Sequence, residues 1–449
     1  MVIIMTKYEM IANDVEKQII NLKYEQGEKL PSLKKISEMY QCSKETAIKA
    51  YDVLVKKHLI YAKHQSGYYV ADNAMKPYFI NDDYPLNTGN PFVNATSLVD
   101  AKHCLSIAIE QYSHSSLNLS LQGVDTLRSI LPDFLAHLSV YAKEESIFLI
   151  QGITQMLSFL SDSDYFKNKK YVLIEEPTYS YYIEFLKSMN IPTLTIKRDE
   201  KGIDLRYLEH LFKNESIKFF YTIPRNHNPL GTILNTKTRK KIAELALKYD
   251  VYIIEDDYFG HSCYIPKYLP IHYYTFGKNC IYLTSFSKTI PYIRIGICVI
   301  PESFYQAFDR LIHQAYYFSY QLPSLISQAT LESYLRSGLY QKQTQRLQNQ
   351  LKKHYQIIKH ISKQWDPHIA YITGGTSGYY FSIVINQRKQ FPKILKELKK
   401  HKILVADNQR CYYDIDHFNY SIRLSIARIE ANKLAEALNM IYTFIQSIT

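Results

Sequence analysis

Val251-Tyr-Ile-Ile-Glu-Asp-Asp-Tyr258 and Ile281-Tyr-Leu-Thr-Ser-Phe-Ser-Lys288 follow the same plan, in which a short apolar run leads directly into polar residues. Runs that are apolar on both faces are typical of strands buried in a mainly parallel sheet. The carboxyl ends of parallel strands meet at one edge of the sheet, where ligands bind. We therefore expect the acidic residues after the first run and Lys288 after the second to face a common site.

The same pattern continues on both sides of these two stretches. Short apolar runs alternate with helical stretches from about residue 145 onward, at 147–150, 171–174, 219–222 and 295–300. A smaller α/β unit is predicted after residue 320. Its elements are a long charged helix through 360, a strand at 379–384, a helix at 393–400, strands near 403 and 422 and a closing helix.

An amine and a carboxylate delivered from two strand ends are the groups that pyridoxal 5'-phosphate requires. Lys288 is expected to form a Schiff base with its aldehyde, while a carboxylate keeps the pyridine nitrogen protonated so that the ring accepts electrons. Asp256 is our choice for that carboxylate. Asp257 stays an alternative, since successive side chains of an extended segment point in opposite directions. Tyr258 and Asn228 are expected to hydrogen-bond the ring oxygen.

The phosphate of this cofactor is expected at a turn between a strand and a helix. Gly152, Ile153 and Thr154 occupy such a turn, where the free amides of a helix N-terminus and a hydroxyl can hold an anion. Many such turns contain glycine, so this signal is weak by itself. The residues around Lys288 that would add hydrogen-bond donors are Ser285, Ser287 and Arg294.

The first seventy residues predict a separate small domain. Apolar positions recur at helical spacing from residue 11 to 22 and stop before Gly27, a natural helix end. Two further amphipathic runs, separated by a tight turn at 41–42, predict a helix-turn-helix whose second helix is capped by Ser43. Two short strands at 58–63 and 67–70 predict a wing.

The exposed side of this second helix is polar at its N-terminal end, where recognition helices contact bases and phosphates. The residues predicted to contact DNA are Pro31, Ser32, Lys34, Ser43, Lys44, Glu45, Thr46, Lys49, Lys63, His64 and Gly67. The alternative is an ordinary helical cap with solvated lysines. The segment through Asp72 holds eleven lysines and nine acidic residues, so its net charge of only +2 does not decide between the two.

The composition fits two or three domains with an ample core, at 449 residues and 46% hydrophobic content. The net charge of +12 makes polyanions possible partners and says no more. Six scattered cysteines without a CxxC pair predict a reducing compartment and no structural metal. The apolar start at 1–5 is too short for a signal peptide or a membrane span, so we expect a cytoplasmic protein without a membrane partner.

The N-terminal segment resembles the GntR-type winged helix. The matching motifs are Gly27-Glu-Lys-Leu-Pro-Ser32, Ser43-Lys-Glu-Thr46 and Gly67-Tyr-Tyr-Val70. Lys34 and Lys44 stand where that family usually has arginines. Lysine keeps a phosphate contact but weakens the bidentate recognition of guanine. The resemblance implies that double-stranded DNA is a partner.

Residues from about 85 to the end resemble the fold type I aminotransferases, which bind pyridoxal phosphate. The motifs that carry this resemblance are Glu176-Pro-Thr-Tyr179, Asn228-Pro-Leu-Gly231, Ser285-Phe-Ser-Lys288, Arg294-Ile-Gly296 and Tyr420-Ser-Ile-Arg423. The resemblance implies that Tyr179 belongs to the cofactor site and that Arg423 binds the carboxylate of a substrate or effector. Arg423 can equally be the arginine of a structural ion pair.

A winged helix ahead of an aminotransferase-like body resembles the MocR/GabR family. The resemblance implies a mainly α winged helix-turn-helix with a β wing, then an α/β fold type I domain with a smaller C-terminal α/β subdomain. The predicted boundaries are 6–72 for the winged helix, 73–84 for a linker, 85–320 for the large domain and 321–449 for the small subdomain. The resemblance to the MocR/GabR family also implies a homodimeric transcription regulator that binds paired half-sites. Its effector would be an amino acid, an amine or pyridoxal phosphate itself.

Two departures from the family pattern concern the ligands. Arg294 follows Lys288 by six positions where the family commonly has seven, which can shift a phosphate donor. Tyr181 stands where the 4-aminobutyrate-sensing member has a second effector arginine, which favours a monocarboxylate over an effector with two charged ends. A working aminotransferase with an appended DNA-binding domain is the alternative, because the residues that handle an amine are all in place.

Overall fold

The computed structural model describes residues 6–20, 23–24, 27–57, 59–63, 66–71, 83–91, 95–114, 119–162, 166, 169–263, 267–319, 322–386 and 388–448. The chain divides into two compact units, Met1–Asp82 and Asp83–Thr449. Most of the predicted linker, 73–84, lies outside the described residues, as does His64. Tyr84, which we had assigned to the linker, begins a strand that pairs with residue Ile403 of the second unit.

The described residues of the first unit form three helices and a two-stranded wing. Its helices are α1 (Lys7–Ile20), α2 (Leu33–Met39) and α3 (Lys44–Lys56), and its strands are β1 (Ile60–Lys63) and β2 (Gly67–Val70). Ser32 and Ser43 cap α2 and α3, because their hydroxyls accept the amides of Lys35 and Thr46. The core consists of apolar side chains from all three helices and the wing. A bridge between Lys29 and Tyr69, which the sequence did not predict, adds a third segment to the wing.

The second unit contains thirteen helices among the described residues. They are α4 (Ala95–His114), α5 (Asp125–Arg128), α6 (Leu131–Ala136), α7 (Ile153–Asp162), α8 (Ser180–Ser188), α9 (Leu205–Asn214), α10 (Thr236–Tyr249), α11 (Ile271–Tyr274), α12 (Tyr305–Ser319), α13 (Leu325–Arg336), α14 (Leu339–Ser362), α15 (Phe391–Lys400) and α16 (Ala431–Ile448).

Its strands alternate with these helices along the chain. They are β3 (Tyr84–Pro85), β4 (Leu119–Ser120), β5 (Gly123–Val124), β6 (Ile147–Ile150), β7 (Tyr171–Glu176), β8 (Thr193–Asp199), β9 (Gly202–Ile203), β10 (Ile217–Thr222), β11 (Tyr252–Asp256), β12 (Cys280–Ser285), β13 (Gly296–Val299), β14 (Ala370–Gly374), β15 (Tyr380–Ile385), β16 (Ile403–Leu404), β17 (Ala406–Asp407) and β18 (Ser421–Ser425).

Eight of these strands form one sheet in the order β6-β13-β12-β11-β10-β7-β8-β9. The five strands from β12 to β8 run parallel, whereas β13 runs antiparallel to both of its neighbours. The central strands are buried on both faces, where three apolar clusters cover them. The mainly parallel α/β sheet predicted from the sequence is therefore confirmed, with β13 and the short edge strand β9 as antiparallel exceptions.

A second sheet, of four antiparallel strands, lies in the C-terminal part in the order β14-β15-β18-β17. Helices α14, α15 and α16 share an apolar core with it. The sequence did not predict β14, whose mixture of buried and half-buried residues gives a weaker signal than the fully buried β15. No helix among the described residues is both long and apolar enough to cross a membrane.

Candidate functional site

The register of the large sheet brings the predicted site residues to one edge. Asp256, the last residue of β11, pairs with Leu283 of β12. Ser285 at the end of β12 pairs with Gly296 of β13, and Gly296 pairs with Ile150 at the end of β6. Since neighbouring strands lie about 4.8 Å apart, the ends of β6, β12 and β11 lie within roughly 15 Å. The segments that carry Gly152, Lys288 and Asp256 therefore leave the sheet side by side.

Asp256 is a buried carboxylate held by two hydrogen bonds. The hydroxyl of Tyr221 donates to its Oδ2 at 2.7 Å, and the amide of Tyr258 donates to its Oδ1 at 3.1 Å. Burial raises the pKa of Asp256 to about 7, although the nearby charge of Lys288 opposes this rise. A cation placed against this carboxylate would be strongly favoured, because it would compensate the lost hydration.

Asp257, the alternative to Asp256, already has hydrogen-bond donors from the protein, and they lie on the other side of the backbone. Arg225 Nε donates to its Oδ1 at 2.6 Å, and Arg225 Nη2 and the hydroxyl of Tyr282 both donate to its Oδ2. The guanidinium also lies 4.1 Å from the ring centre of Tyr268. Asp257 is thus the anion of a buried ion pair, and the geometry favours Asp256 as the carboxylate that faces the site.

Lys288 lies in the turn after β12, with a half-buried side chain. Its Nζ is 3.4 Å from Oδ1 of Asn90, and its backbone carbonyl accepts the hydroxyl of Tyr379 at 2.9 Å. The turn is therefore held by Tyr379, the residue before β15 of the smaller sheet, while the amine itself has only one weak partner among the described residues.

The predicted phosphate donors are more open than the carboxylate side. Thr154 and Arg294 are exposed, and Arg294 makes no hydrogen bond or ion pair with any described residue. Thr154 Oγ1 lies 3.5 Å from the hydroxyl of Tyr179, at the first turn of α7. A methyl group added at Gly152 would meet no atom within 4 Å. The helix N-terminus is consequently accessible to an anion.

Ser285 and Ser287 form the other wall of this open region. Their hydroxyls lie 2.9 Å apart, and the amide of Ser287 donates to the hydroxyl of Ser285. Each hydroxyl can still accept or donate one further hydrogen bond. The two serines therefore stay available as partners of a bound phosphate.

Arg423 and Asn228 lie in direct contact. Arg423 Nη1 donates to Asn228 Oδ1 at 3.0 Å, and Nη2 donates to the carbonyl of Asn87 at 2.9 Å. The guanidinium also stacks on Tyr380, 4.6 Å from its ring centre. No carboxylate among the described residues forms an ion pair with Arg423, so the structural ion pair that we considered is not seen there.

Tyr258 is buried, and its hydroxyl donates to the carbonyl of Asn226 at 2.6 Å. Burial raises the pKa of this phenol well above its ordinary value, so the hydroxyl stays protonated. Its oxygen can still accept a hydrogen bond but has no second proton to give. The expectation that Tyr258 donates to a ring oxygen would require the bond to Asn226 to open.

Four site neighbours were missed by the sequence reasoning. They are Tyr221, Arg225, Asn87 and Asn90. Tyr221 was detectable in principle, because it lies on the same face of β10 as Phe219 and its hydroxyl must find a partner when buried. The two asparagines lie in a turn before α4 with no local pattern that links them to Lys288 or Arg423.

The predicted DNA-contacting residues lie on the surface of the first unit where they are described. The exposed members are Ser32, Lys34, Ser43, Lys44, Glu45, Lys49, Lys63 and Gly67, while Pro31 and Thr46 are half-buried. Lys63 and Lys29 each place an ammonium group 5.9 Å from the ring centre of Tyr69. The wing thereby presents two cations beside the predicted contacts.

The donor set of the second unit fits pyridoxal phosphate. A buried carboxylate suits a protonated ring nitrogen, Lys288 offers an amine, and Arg294 with the α7 N-terminus offers unused anion donors. Asn228 is in direct contact with Arg423. These residues can thus bind an anionic aromatic aldehyde and, next to it, a carboxylate.

Comparisons with known proteins agree with both units. The family model described as "Aminotransferase class I and II" matches residues 83–441, and the model "Bacterial regulatory proteins, gntR family" matches residues 7–70. The HTH-type transcriptional regulator YcxD of Bacillus subtilis is 31% identical over 97% of this chain and 99% of its own length. The HTH-type transcriptional regulator NorG of Staphylococcus aureus is 24% identical over 94% of this chain and 100% of its own.

Several solved structures with the same fold are aminotransferases. The kynurenine aminotransferase of Pyrococcus horikoshii superposes with a TM-score of 0.73 at 20% identity, covering 82% of this chain and 92% of that enzyme. The family match makes pyridoxal phosphate the cofactor of the site. The chain belongs to the aminotransferase class I and II family and, because a gntR-type module precedes that domain, it is a MocR-like transcriptional regulator.

Proposed function

We propose that this regulator senses an amino acid, an amine or pyridoxal phosphate itself and that its binding to double-stranded DNA changes in response. Lys288 would attach the cofactor, and Asp256 would face its ring nitrogen. Asn228 and Tyr258 would face the ring oxygen. The residues proposed to surround the phosphate are Gly152, Ile153, Thr154, Tyr179, Ser285, Ser287 and Arg294. When bound, the cofactor supplies an electrophilic aldehyde and an electron-withdrawing ring.

The observation that supports these roles most is the contrast between Asp256 and Arg294 at one sheet edge. Asp256 is a buried carboxylate without a cationic side chain bonded to it, and Arg294 is a guanidinium without an anion among the described residues. A ligand with a cationic ring and an anionic phosphate would satisfy both.

We propose a monocarboxylate amino acid as the preferred effector. Arg423 presents a guanidinium beside Asn228, which suits one carboxylate. Tyr181 is 60% exposed and lies 5.6 Å from Tyr179, ring centre to ring centre. An aromatic ring at this place supports an effector without a second charged end.

The DNA partner is proposed to be a pair of half-sites, bound by two copies of α3 in a homodimer. We also propose that the protein works in the cytoplasm and without a metal ion. The division of the second unit into a large domain, 85–320, and a small subdomain, 321–449, is retained as part of this proposal. Effector binding between the two would change the spacing of the DNA-binding units.

The test combines spectroscopy with DNA protection. Purified protein should acquire a visible absorption band on addition of pyridoxal phosphate, and Lys288→Ala should lose that band while α3 keeps its fold. A footprint on the upstream DNA of the protein's own gene should change when the cofactor is added. A colourless protein, or a footprint equal to that on random DNA, would contradict the proposal.

A working aminotransferase is the second candidate, because the Lys288, Asn228 and Arg423 groups that such chemistry uses are all present and buried or half-buried. Single-turnover spectroscopy separates the two. Rapid conversion of the cofactor to its pyridoxamine form by many amino acids, and rapid return with keto acids, would favour the enzyme. Slow or stalled conversion coupled to altered DNA binding would favour the sensor.

A further inference from the structure

Residues 224–231, part of the loop between β10 and α10, include Asn228 and are all buried. A buried loop must find partners for its backbone groups, since water cannot reach them. Strand β15 covers one side, where the hydroxyl of Ser382 donates to the carbonyl of Pro229 at 2.9 Å. On the same side a methyl group at Gly231 would come within 2.1 Å of the carbonyl oxygen of Tyr380. The loop is therefore tightly packed against the smaller sheet.

The other side of the loop rests on a buried charged cluster, which consists of Glu175 on β7, Arg198 on β8 and His227. All three side chains are completely buried. Glu175 Oε1 lies 3.4 Å from Arg198 Nη1, and Glu175 Oε2 lies 3.3 Å from His227 Nε2. The amide of Ile223 also donates to Oε2 at 2.9 Å. The proposed site roles use none of these three side chains.

The contacts of His227 define which ring nitrogen carries its proton. The amide of Leu230 donates to Nδ1 at 3.4 Å, so Nδ1 is an acceptor and the proton lies on Nε2. Glu175 Oε2 is 3.3 Å from Nε2 and favours a proton there by its charge, although the two atoms are not aligned as a hydrogen bond. Burial lowers the pKa of His227 and keeps the ring neutral. Burial alone would raise the pKa of Glu175, but Arg198 and His227 hold it below the ordinary value. The cluster thus holds one anion, one cation and one neutral ring of fixed tautomer.

The same cluster fixes the two ends of the turn that contains Asn228. His227 donates its backbone amide to the carbonyl of Thr232 at 3.1 Å, and Arg198 Nη2 donates to the hydroxyl of Thr232 at 3.1 Å. With Leu230 also held by His227, the turn is closed from both sides around Asn228. The side chain of Asn228 then accepts from Arg423.

We propose that Glu175 and Arg198 position the effector's carboxylate site, because they fix the tautomer of His227 and, through the turn at 227–232, the direction in which Asn228 meets Arg423. The inference rests on the proposed role of Arg423. None of the three residues would touch the cofactor or the effector. They are positioning residues, and their effect should appear as a loss of discrimination between ligands with and without a carboxylate.

The experiment compares L-alanine with ethylamine, which has the same carbon chain without the carboxylate. Each is titrated into cofactor-loaded full-length protein, and the change of the visible band gives two dissociation constants. The parent should prefer alanine. His227→Leu and the double variant Glu175→Gln/Arg198→Met should lower that preference about tenfold, the usual effect of misaligning one hydrogen bond to a charged group. The double variant is chosen because a single change would leave a buried charge unpaired.

A conservative variant and a matched control separate positioning from general damage. His227→Gln keeps a donor and an acceptor in one side chain and should recover part of the preference for alanine. Glu332→Gln/Arg336→Met removes another ion pair with a buried glutamate, on α13, and should keep the parent's preference. Thermal unfolding of every variant is recorded, so that lost stability is not mistaken for lost discrimination.

The outcomes distinguish this inference from the proposed function. A parent that takes up no cofactor overturns the proposed function together with the inference. A parent without preference for alanine overturns the carboxylate role of Arg423 and hence the inference. A parent that prefers alanine, with cluster variants that weaken both ligands equally or keep the full preference, overturns the inference alone.

Discussion

Asp256 and Asp257, near the proposed ring side of the site, already have protein partners, whereas Arg294 and Thr154, on its proposed phosphate side, face outward. The carboxylates are held by Tyr221, in strand β10, and by Arg225, which follows that strand. The phosphate-side donors lie in turns at the edge of the sheet, with little or nothing bonded to them among the described residues. The difference indicates that the ring side is prepared by folding and the phosphate side is completed by the ligand. Substitutions on the two sides should therefore affect different measurements.

The largest expected effect is on stability, from Asp257→Asn. This change leaves the guanidinium of Arg225 buried without an anion, which costs about 3–5 kcal/mol of unfolding free energy. Chemical denaturation of the cofactor-free protein measures the loss. The control is Lys143→Gln, which removes an exposed ion pair with Glu302 and should change stability by less than about 1 kcal/mol. Equal effects of the two variants would show that the ring side is not held by this ion pair.

The next effect is on cofactor affinity, from Arg294→Gln. The exposed arginine has no described partner, so the cofactor-free protein should keep its stability within about 0.5 kcal/mol. The dissociation constant of pyridoxal phosphate should rise by roughly 10- to 100-fold, because a charge-assisted hydrogen bond is lost. Arg310→Gln, at an exposed arginine of α12, is the control. If Arg294→Gln lowered the stability but left the affinity for pyridoxal phosphate unchanged, Arg294 would serve folding and not ligand binding, contrary to this prediction.

A pH-dependent effect is expected at Asp256. Because its pKa is raised to about 7 in the fold and is about 4 in the unfolded chain, the folded state holds a proton that the unfolded state has released between these values. The contribution of Asp256 to the stability of the cofactor-free protein should therefore fall as the pH rises from 4 to 7. Asp256→Asn should remove this contribution, so that its stability relative to the parent increases over this range and exceeds the parent's at pH 8 by roughly 1–3 kcal/mol.

Two results would count against this account of Asp256. One is an unchanged pH profile of stability in Asp256→Asn, measured by denaturation between pH 4 and 8. The other is unchanged affinity for pyridoxal phosphate at pH 8, since the ionised carboxylate is proposed to face the ring nitrogen. If Asp256→Asn gained stability and lost affinity for pyridoxal phosphate, the result would show that Asp256 serves ligand binding at the expense of stability.

The smallest effect is expected from Thr154→Val, which removes only a hydroxyl at an exposed turn. The hydrogen bond to Tyr179 is long, at 3.5 Å, so the stability of the cofactor-free protein should not change. The dissociation constant of pyridoxal phosphate should rise about 2- to 10-fold, as expected for one neutral hydrogen bond. Fluorescence titration would detect this change, and a larger loss than that of Arg294→Gln would contradict the proposed order.

The parallel core of the fold could be predicted from the sequence, because fully buried strands such as β11 and β12 have continuous apolar runs. Strand β8 was missed since its buried and exposed residues alternate and include Lys197, Arg198 and Asp199. The third segment of the wing was missed for another reason. Lys29 has no strand pattern around it. It pairs with Tyr69 because the tertiary fold brings the segment before α2 next to β2.

Residues of the site were predictable where they follow strands, as Asp256 and Lys288 do, since the strand end itself is the signal. Their partners were not, because the pairing of Arg225 with Asp257 and of Asn90 with Lys288 depends on tertiary contacts. The choice of Asp256 over Asp257 followed from the resemblance to related regulators, in which the acid stands two residues before the tyrosine, because side-chain alternation shows only that the two carboxylates point in opposite directions. The roles of these residues stay predictions until the variants are measured.

The antiparallel direction of β13 gives the short segment before it a particular importance. Ser285 and Gly296 are fixed opposite each other, so the ten residues between them form a closed loop whose length the sheet does not control. Both Lys288 and Arg294 lie in that loop. One inserted or deleted residue there would leave every strand in place yet displace the guanidinium relative to the amine. A single insertion or deletion in this loop could therefore abolish the binding of pyridoxal phosphate in a protein of this fold without preventing folding.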